Sequence, residues 1–554
     1  MSDIKKIIVI FFMGFIFFSC NKTNYKTIKV NNKVSLKRYK LESLEDFKNW
    51  HFKDVLIDTL AGISLNRAYD SLLVNRKPKK IIVAVIDMPI EINHLGLKNY
   101  IWNNKNEISN NNFDDDQNGY MDDKNGWNFL SNKEGGTNYF VNYEYTRIIK
   151  EYSYKFKGKK IKEINQKDST LFRVYKKAEL KYKQRFMFAN EEVEYIKNLS
   201  IWKKEAEEVI SKYIKNSNYG IHELDSLKNM YPKNKDLQDA LIQKTNFIEW
   251  EFTDSYIKDY KLKAEERVSK LLNLDYNDRK IQGDNPKLIN DIEYGTPKFE
   301  VNFELLDHGT KMAGIIVNIG KNEELEIMSL AISAYGDEHD KDIALAIRYA
   351  VDNGAKVINM SFAKEFSLYP NWVLDAIKYA YENNVLIVNG AGNDNQDLEI
   401  KNVTWFPNDH GHENKKEISN NFLKVGSSGL YINKKLKSSF SNYGNNEVDI
   451  FAPGEYIYTT FPNNEYNLVY GGTSASSAIT SGVAALLYSY YPNLTASQVK
   501  NILMDSGLEY TIEVNTPTEE DKNKTIPFNI LSKSGKVLNA YNALIMADSI
   551  SRSN

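Results

Sequence analysis

The chain has 554 residues, with 72 Lys and Arg against 73 Asp and Glu. A formal net charge of −1 provides no overall field for holding nucleic acid, so a nucleic-acid partner is excluded. Hydrophobic residues make up 42% of the chain, which excludes a disordered protein and predicts either one large domain with insertions or three to four domains. The one cysteine, at position 20, excludes an intramolecular disulfide framework and a cysteine-built zinc site.

Residues 1–20 are typical of a bacterial lipoprotein signal peptide. Lys5 and Lys6 precede the apolar run Ile7 to Phe18, which is too short to span a hydrocarbon core of about 30 Å. Ser19 and Cys20 then resemble a lipobox, in which Cys20 is acylated and becomes the mature N-terminus. The alternative is an ordinary signal peptide with an incidental cysteine. We predict an exported protein, anchored by lipid to a membrane of the bacterial envelope, at the outer membrane or cell surface.

The remaining chain alternates buried strands with helices. After a linker or short pro-segment over 21–55, helical spacing covers Ile57 to Leu73. Apolar runs then predict strands at Ile81–Ile86, Leu325–Ile332, Val357–Met360 and Val385–Val388, with helices at Asp340–Asn353 and Asn371–Asn384. This alternation predicts an α/β fold with a doubly wound parallel sheet, right-handed crossovers and helices on both faces.

The segment from 135 to 290 has a different composition, rich in Lys, Glu, Tyr and Asn, without a central-strand run. The residues at helical spacing include Leu199, Trp202, Ala206, Val209 and Tyr213. They predict one apolar stripe of an amphipathic helix. We interpret the segment as a large helical insertion in the α/β domain, whose charges form a solvated face or, secondarily, a docking surface.

Three short motifs fall where such a sheet places functional groups. VAVIDMP ends the first strand with Asp87, HGTKMAGII opens a helix with His308, and GGTSASSAITSGVAALL opens another with Ser474. Singly, the aspartate is a strand-end turn residue, the histidine a structural residue and the serine a helix cap. Together, in the chain order Asp, His, Ser, they match the order of subtilisin.

On these motifs the sequence resembles the subtilisin-like serine peptidase (subtilase, peptidase S8) family from about Gly62 to Met546, outside the insertion. The resemblance implies a subtilisin-like α/β fold with catalytic parts at 56–134 and 291–548. VLIVNGAGND resembles the turn that presents the oxyanion-hole asparagine, here Asn393, and FSNYG and VDIFAPG match segments before the serine helix.

The resemblance also assigns roles in peptide hydrolysis. Ser474 needs a neutral His308 to take its proton and later to protonate the leaving amine, and Asp87 fixes the imidazole. Asn393 and the Ser474 N–H then face the oxyanion. No catalytic metal is implied.

Two departures from the family pattern concern the surroundings of these groups. Met88 and Pro89 follow Asp87, where the family has a small hydroxyl residue and a glycine. Ala475, Ser476 and Ala478 replace the Met, the small residue and the Pro that usually follow the serine. We expect a different turn after Asp87 and reduced activity. We further expect the insertion to lie near the cleft and to limit which substrates reach it.

An acidic loop, DDDQNGYMDD at 114–123, partly matches an EF-hand-type calcium loop. The candidate ligands are Asp114, Asp116, Asn118, Tyr120 and Asp122. Asn125 stands where such a loop has its bidentate Glu, so an Asx-rich turn solvated by water is the alternative. A bound Ca²⁺ would be structural.

The sequence therefore predicts a lipid-anchored serine endopeptidase acting on protein or peptide substrates, and we expect a monomer. The alternative is an inactive pseudoprotease that binds peptides or partners in the envelope without cutting them. The complete triad favours the enzyme, and the altered residues around Asp87 and Ser474 favour the alternative.

Overall fold

The computed structural model describes residues 29–30, 44–215, 219–321, 324–400, 403–411 and 416–553. Cys20 and the predicted signal peptide lie outside these residues. The strands are β1 Lys29–Val30, β2 Ile81–Asp87, β3 Gly126–Asn128, β4 Leu325–Ala331, β5 Val357–Met360, β6 Leu386–Gly390, β7 Phe422–Ser428, β8 Ile450–Pro453, β9 Glu455–Phe461, β10 Glu465–Gly471, β11 Leu508–Tyr510, β12 Glu513–Asn515, β13 Thr525–Pro527 and β14 Lys536–Val537.

The α-helices fall into two groups along the chain, those before and those after β4. The first group is α1 Leu44–Lys48, α2 Val55–Asp58, α3 Leu65–Ser71, α4 Glu144–Phe156, α5 Ser169–Ile210, α6 Ile221–Met230, α7 Lys235–Glu249, α8 Asp254–Glu266 and α9 Asp307–Gly320. The second group is α10 Asp340–Asp352, α11 Pro370–Glu382, α12 Thr473–Tyr490, α13 Ala496–Ser506 and α14 Ala540–Ser553. Within the described residues, no helix has the length and apolar character needed to span a membrane.

One sheet of ten strands organises the fold, in the order β1-β11-β14-β8-β7-β6-β5-β2-β4-β3. From β8 to β3 every neighbouring pair is parallel. After β2 the chain forms β3 and β4 on one side of β2, and it then forms β5 on the other side. The strand order therefore reverses at β2, and ligands bind at the carboxyl edge of such switch points in open α/β sheets.

Both faces of the sheet are covered by helices. In β2, Val83 and Val85 belong to an apolar cluster shared with α9 and α12, whereas Ala84 and Ile86 belong to a second cluster shared with α10 and α11. This burial on both faces explains why the strand is a continuous apolar run in the sequence. The predicted fold class, a subtilisin-like parallel α/β sheet with flanking helices and a large helical insertion, is confirmed.

The predicted helix over Ile57 to Leu73 is wrong, because two short helices, α2 and α3, replace it. Thr59 and Ser64 have φ of 61° and 58°, which ends one helix and precedes the next. Between them the backbone lies very close to the residues that precede α2, since a Cβ on Gly62 would lie 2.5 Å from the Lys53 carbonyl oxygen. Helical spacing alone does not reveal such a break.

The insertion contains α4 to α8, with the 42-residue α5 as its longest element. The predicted apolar stripe is offset, because Trp202 is 40% exposed and Tyr213 lies beyond the end of α5. The stripe that is buried consists of Ile196, Leu199, Lys203, Ala206 and Ile210. Lys203 can be buried in this stripe because its ammonium forms an ion pair with Asp254 at the start of α8.

Candidate active site

The candidate site lies at the carboxyl edge of β2, β5 and β6, three adjacent strands of the sheet. Asp87 is the last residue of β2, Ser361 follows β5, and Asn393 follows β6 by three residues. Two helices complete the site, because α9 begins at Asp307 and α12 begins at Thr473. Their packing is close, since a Cβ on Gly482 of α12 would lie 2.6 Å from Ile319 of α9.

The structure brings Asp87 and His308 together. The distance from His308 Nδ1 to Asp87 Oδ1 is 2.7 Å, and the carboxylate is almost fully buried at 1% exposure. A carboxylate oxygen only accepts, so Nδ1 carries the hydrogen and leaves Nε2 as the acceptor in the neutral ring. Burial opposes a charge on this imidazole, but the charge of Asp87 and its hydrogen bond outweigh burial and raise the pKa of His308 above its ordinary value.

The unusual residues Met88 and Pro89 form a turn that contacts the start of α9. The Met88 N–H donates to Asp87 Oδ1 over 2.6 Å, which helps to fix the carboxylate. A Cβ on Gly309 would lie 2.1 Å from the Met88 carbonyl oxygen, so His308's neighbour has to be glycine. The Glu91 N–H donates to Thr310 Oγ1 over 2.9 Å and joins the two segments again.

Ser474 lies in the first turn of α12 and is half-buried. Its Oγ donates to the Ser361 carbonyl over 2.8 Å, and within the described residues it makes no hydrogen bond with His308. Apo structures often show long or misaligned catalytic hydrogen bonds that form only with substrate bound. The structure therefore brings Ser474 to the same strand edge as the Asp87–His308 pair without joining it to the imidazole.

Ser361 is a part of the site that the motifs did not single out. Asn359 Nδ2 donates to its Oγ over 2.9 Å, and the hydroxyls of Ser361 and Ser477 both donate to the Ser474 carbonyl, over 3.1 and 2.9 Å. These bonds fix the serine turn of α12 on the end of β5. The signal in the sequence was its position directly after a buried strand, where parallel sheets carry functional residues.

Asn393 is exposed, and Thr473 fixes the orientation of its side chain. Its Oδ1 accepts from the Thr473 N–H over 2.9 Å and from the Thr473 hydroxyl over 3.0 Å. The backbone N–H only donates, so this amide oxygen is assigned by its partner. Nδ2 then faces away from Thr473 as a free donor, because it has no partner among the described residues.

A cavity of about 780 Å³ adjoins this edge of the sheet. On the sheet side its lining includes Ala363 to Phe366, just after Ser361, and Asp394, next to Asn393. Helix α5 of the insertion supplies the opposite wall, including Arg185 and Phe188. An ion pair of 2.5 Å between Lys181 and Glu365 joins the two walls.

The acidic loop gathers a different set of oxygens from the predicted ligand set. Carboxylate oxygens of Glu107, Asp114 and Asp116 lie within 4.8 Å of one another, and Glu107 comes from outside the loop. Asn118 is engaged with its own neighbours, accepting from the Tyr120 N–H over 2.8 Å and donating to Asp123. The Asp122 carboxylate accepts from the backbone N–H groups of residues 111 and 112.

Comparison with known proteins identifies the family. The profile of the subtilase family, peptidase S8, matches residues 224–530, more than half of the chain, and so includes His308, Asn393 and Ser474. Subtilisin DY of Bacillus licheniformis is 30% identical over 208 residues, covering 36% of this chain and 70% of the relative. The thermophilic serine proteinase of Bacillus sp. (strain AK1) is 30% identical over 251 residues, covering 44% of this chain and 53% of the relative.

Among solved structures, a lanthipeptide protease is 25% identical, with a TM-score of 0.34 over 43% of this chain and 75% of that one. A structure of subtilase cytotoxin SubAB assembly gives 25% identity and a TM-score of 0.36 over 46% and 81%. The family match and the identity to subtilisin DY place the chain in the class of subtilisin-like serine peptidases. The chain belongs to the subtilase family.

Proposed function

We propose that this chain is an envelope-anchored serine endopeptidase that hydrolyses peptide bonds with Ser474 as nucleophile, His308 as general base and Asp87 as the residue that orients the base. The observation that carries the proposal is the 2.7 Å hydrogen bond between the buried Asp87 and His308 Nδ1. It leaves Nε2 free to accept a proton on the side of the ring that does not face Asp87.

In the proposed reaction the Ser474 hydroxyl rotates away from the Ser361 carbonyl and donates to His308 Nε2. Oγ then attacks the substrate carbonyl carbon, and the proton passes to Nε2. The imidazolium returns this proton to the leaving amine as the C–N bond breaks, which leaves an acyl-enzyme. A water molecule, deprotonated by the same nitrogen, releases the acid product and regenerates Ser474.

The oxyanion that forms at each step is stabilised by two donors. Asn393 Nδ2 is one, since Thr473 holds the amide oxygen on the other side. The backbone N–H of Ser474 is the second, at the positive end of the α12 dipole. In subtilisin, removal of the asparagine donor of the oxyanion hole costs roughly 100- to 1,000-fold in kcat.

The proposal is tested by labelling the chain from Asn21 to Asn554 with a fluorophosphonate probe, which reports an activated serine without a known substrate. We expect labelling of the unaltered chain and none of Ser474→Ala at equal circular dichroism. Absence of labelling in the folded, unaltered chain, with and without calcium, would contradict the proposed activity.

The second candidate function is a pseudoprotease that binds peptides without cutting them. The specific observation in its favour is the engagement of Ser474 Oγ with the Ser361 carbonyl in place of His308. A pseudoprotease would bind a fluorescent peptide with equal affinity as the unaltered chain and as Ser474→Ala. Neither form would be labelled by the fluorophosphonate probe.

We also propose that the insertion selects substrates. Helix α5 forms one wall of the cavity whose opposite wall includes Ala363, close after Ser361, and Asp394, next to Asn393. We propose that a substrate chain bound at Ser474 extends along this wall. The wall combines apolar and charged groups, with Phe188 and Arg185 on the same helix.

Two further proposals concern a metal ion and a lipid anchor. Glu107, Asp114 and Asp116 fit a structural Ca²⁺ through carboxylate oxygens, and chelation by EGTA should then lower the Tm of the unaltered chain but not of Asp114→Asn. Acylated Cys20 would hold the protein at a membrane. Palmitate labelling lost in Cys20→Ser is the measurement for that anchor.

A further inference from the structure

The loop that carries Asn393 contains two residues with left-handed backbone conformations. Gly392 has φ of +100° and Asn395 has φ of +52°, so residues on both sides of Asn393 are in left-handed conformations. Residues in such conformations persist where the surrounding structure determines them. The oxyanion donor therefore depends on contacts that hold residues 391–396.

Asn442, from the FSNYG segment, supplies these contacts. Its side chain is fully buried at 0% exposure. Its Nδ2 donates to the Ala391 carbonyl over 2.9 Å, and its backbone N–H donates to the Gly392 carbonyl over 3.0 Å. Its Oδ1 accepts from the N–H groups of Asp394 over 3.1 Å and of Gln396 over 2.8 Å.

These four hydrogen bonds hold the chain immediately before and after Asn393. The approach is so close that a Cβ on Gly392 would lie 2.4 Å from Asn442 Nδ2. On the opposite side, Thr473 accepts from the Gly392 N–H over 3.1 Å and donates to Asn393 Oδ1. Asn393 is thus held between the first turn of α12 and Asn442.

We infer that Asn442 is a positioning residue for the oxyanion hole, which acts through Asn393 and does not touch substrate. The inference rests on the proposed peptidase function. Oxyanion donors act only when they lie about 2.7–3.1 Å from the developing charge, and displacements near 1 Å remove most of their effect. Loss of the Asn442 side chain removes three hydrogen bonds, to Ala391 before Asn393 and to Asp394 and Gln396 after it, and keeps the backbone bond to Gly392. It should therefore lower kcat.

The experiment compares Asn442→Ala and Asn442→Asp with the unaltered chain on a chromogenic peptide. Asn442→Asp keeps the acceptor for the two N–H groups, but its second oxygen faces the Ala391 carbonyl oxygen and repels it while ionised, so we expect this variant also to lose kcat. Asn442→Ala should lower kcat by roughly 10- to 100-fold with KM within about threefold, since the oxyanion forms only in the transition state.

The matched control is Asn421→Ala. Asn421 is also fully buried, and its Nδ2 donates to the Val385 carbonyl over 2.9 Å and to the Ile377 carbonyl over 3.3 Å, away from the loop. It should lower the Tm to a similar extent while kcat stays within about twofold. Equal losses of kcat in the two variants would assign Asn442 to stability alone and overturn the inference.

A double-mutant cycle with Asn393→Ala separates the two proposals. If Asn442 acts through Asn393, its removal costs less than about threefold more once Asn393 is absent. Losses that multiply independently would overturn the positioning role while leaving the peptidase function intact. An unaltered chain no faster than Ser474→Ala would overturn the proposed function, and the positioning role with it.

Discussion

Asp87 determines both the tautomer and the basicity of His308. The carboxylate is buried against the imidazole, so its charge is little screened and its hydrogen bond fixes the proton on Nδ1. A base activates Ser474 only in its neutral form. The raised pKa of His308 therefore sets the lower pH limit of the proposed activity.

We predict that kcat/KM falls as pH decreases, with a midpoint above 6.5, the ordinary pKa of histidine. The direction follows because protonation of Nε2 removes the acceptor for the Ser474 proton. The pH profile of kcat/KM on a small ester is the measurement.

The pH profile of the Asp87→Asn variant tests whether Asp87 sets this midpoint. The variant should lose about 10⁴-fold in kcat, and its acid limb should move to lower pH, because the charge that raises the pKa is gone. An unchanged acid limb in this variant would show that another group sets it.

Much of the site at residue scale could be predicted from the sequence. The motifs carry the side chains of the proposed triad, and the structure brings Asp87 and His308 into direct contact. Glu107 was missed because it lies before the acidic loop and outside its pattern. Ser361 and Asn442 were missed because each acts through hydrogen bonds between segments that are distant in sequence. No spacing in the chain encodes such partners.

At the scale of elements, the short buried strands and the helices α10 and α11 were predicted well, whereas the helix over Ile57 to Leu73 and the stripe on α5 were not. Strand β5 matches the predicted Val357–Met360, because burial on both faces leaves a continuous apolar run. The stripe on α5 was offset because Lys203 is buried through its pairing with Asp254, while Trp202 faces outward. Hydropathy alone ranks those two residues in the opposite order.

Helix α5 offers a matched pair of phenylalanines for testing substrate selection. Phe188 lines the cavity, whereas Phe186, two residues earlier, stacks on Tyr182. We predict that Phe188→Ala lowers kcat/KM on extended peptides by about 5- to 30-fold, the range expected for loss of one large apolar contact.

In the same variant, labelling by a small fluorophosphonate should be unchanged, because that probe needs no contact with the insertion. Phe186→Ala is the control and should leave both rates within about twofold. Similar losses in both variants would indicate a general effect on α5 and not a substrate wall.

At the scale of the whole molecule, buried ion pairs join the last part of the insertion, near residues 279–284, to helix α10. Arg279 donates to Asp284 over 2.7 Å and, with both terminal nitrogens, to Asp342 of α10 over 2.6 and 3.1 Å. Lys341 of α10 donates to Asp284 over 2.6 Å. The insertion is thus fastened into the fold, and its removal would leave buried charges unpaired.

We predict that Arg279→Ala lowers the free energy of unfolding by about 3–5 kcal/mol, because the buried Asp342 loses its bidentate cation and the buried Asp284 keeps only Lys341. Urea unfolding followed by circular dichroism is the measurement. Lys204→Ala removes an exposed ion pair with Glu208 on α5 and should change stability by less than about 0.5 kcal/mol. Equal effects in the two variants would contradict a structural role for the Arg279 cluster.

The position of β2 in the sheet has a consequence for when the protein can begin to act during its synthesis. Both neighbours of β2, β4 and β5, are made only after the whole insertion, and α12 with Ser474 follows later still. A chain emerging from the ribosome thus carries Asp87 long before it carries His308 or Ser474. The proposed triad therefore cannot assemble before residue 474 has been made, and the proposed activity cannot act on the chain's own unfolded segments before that point.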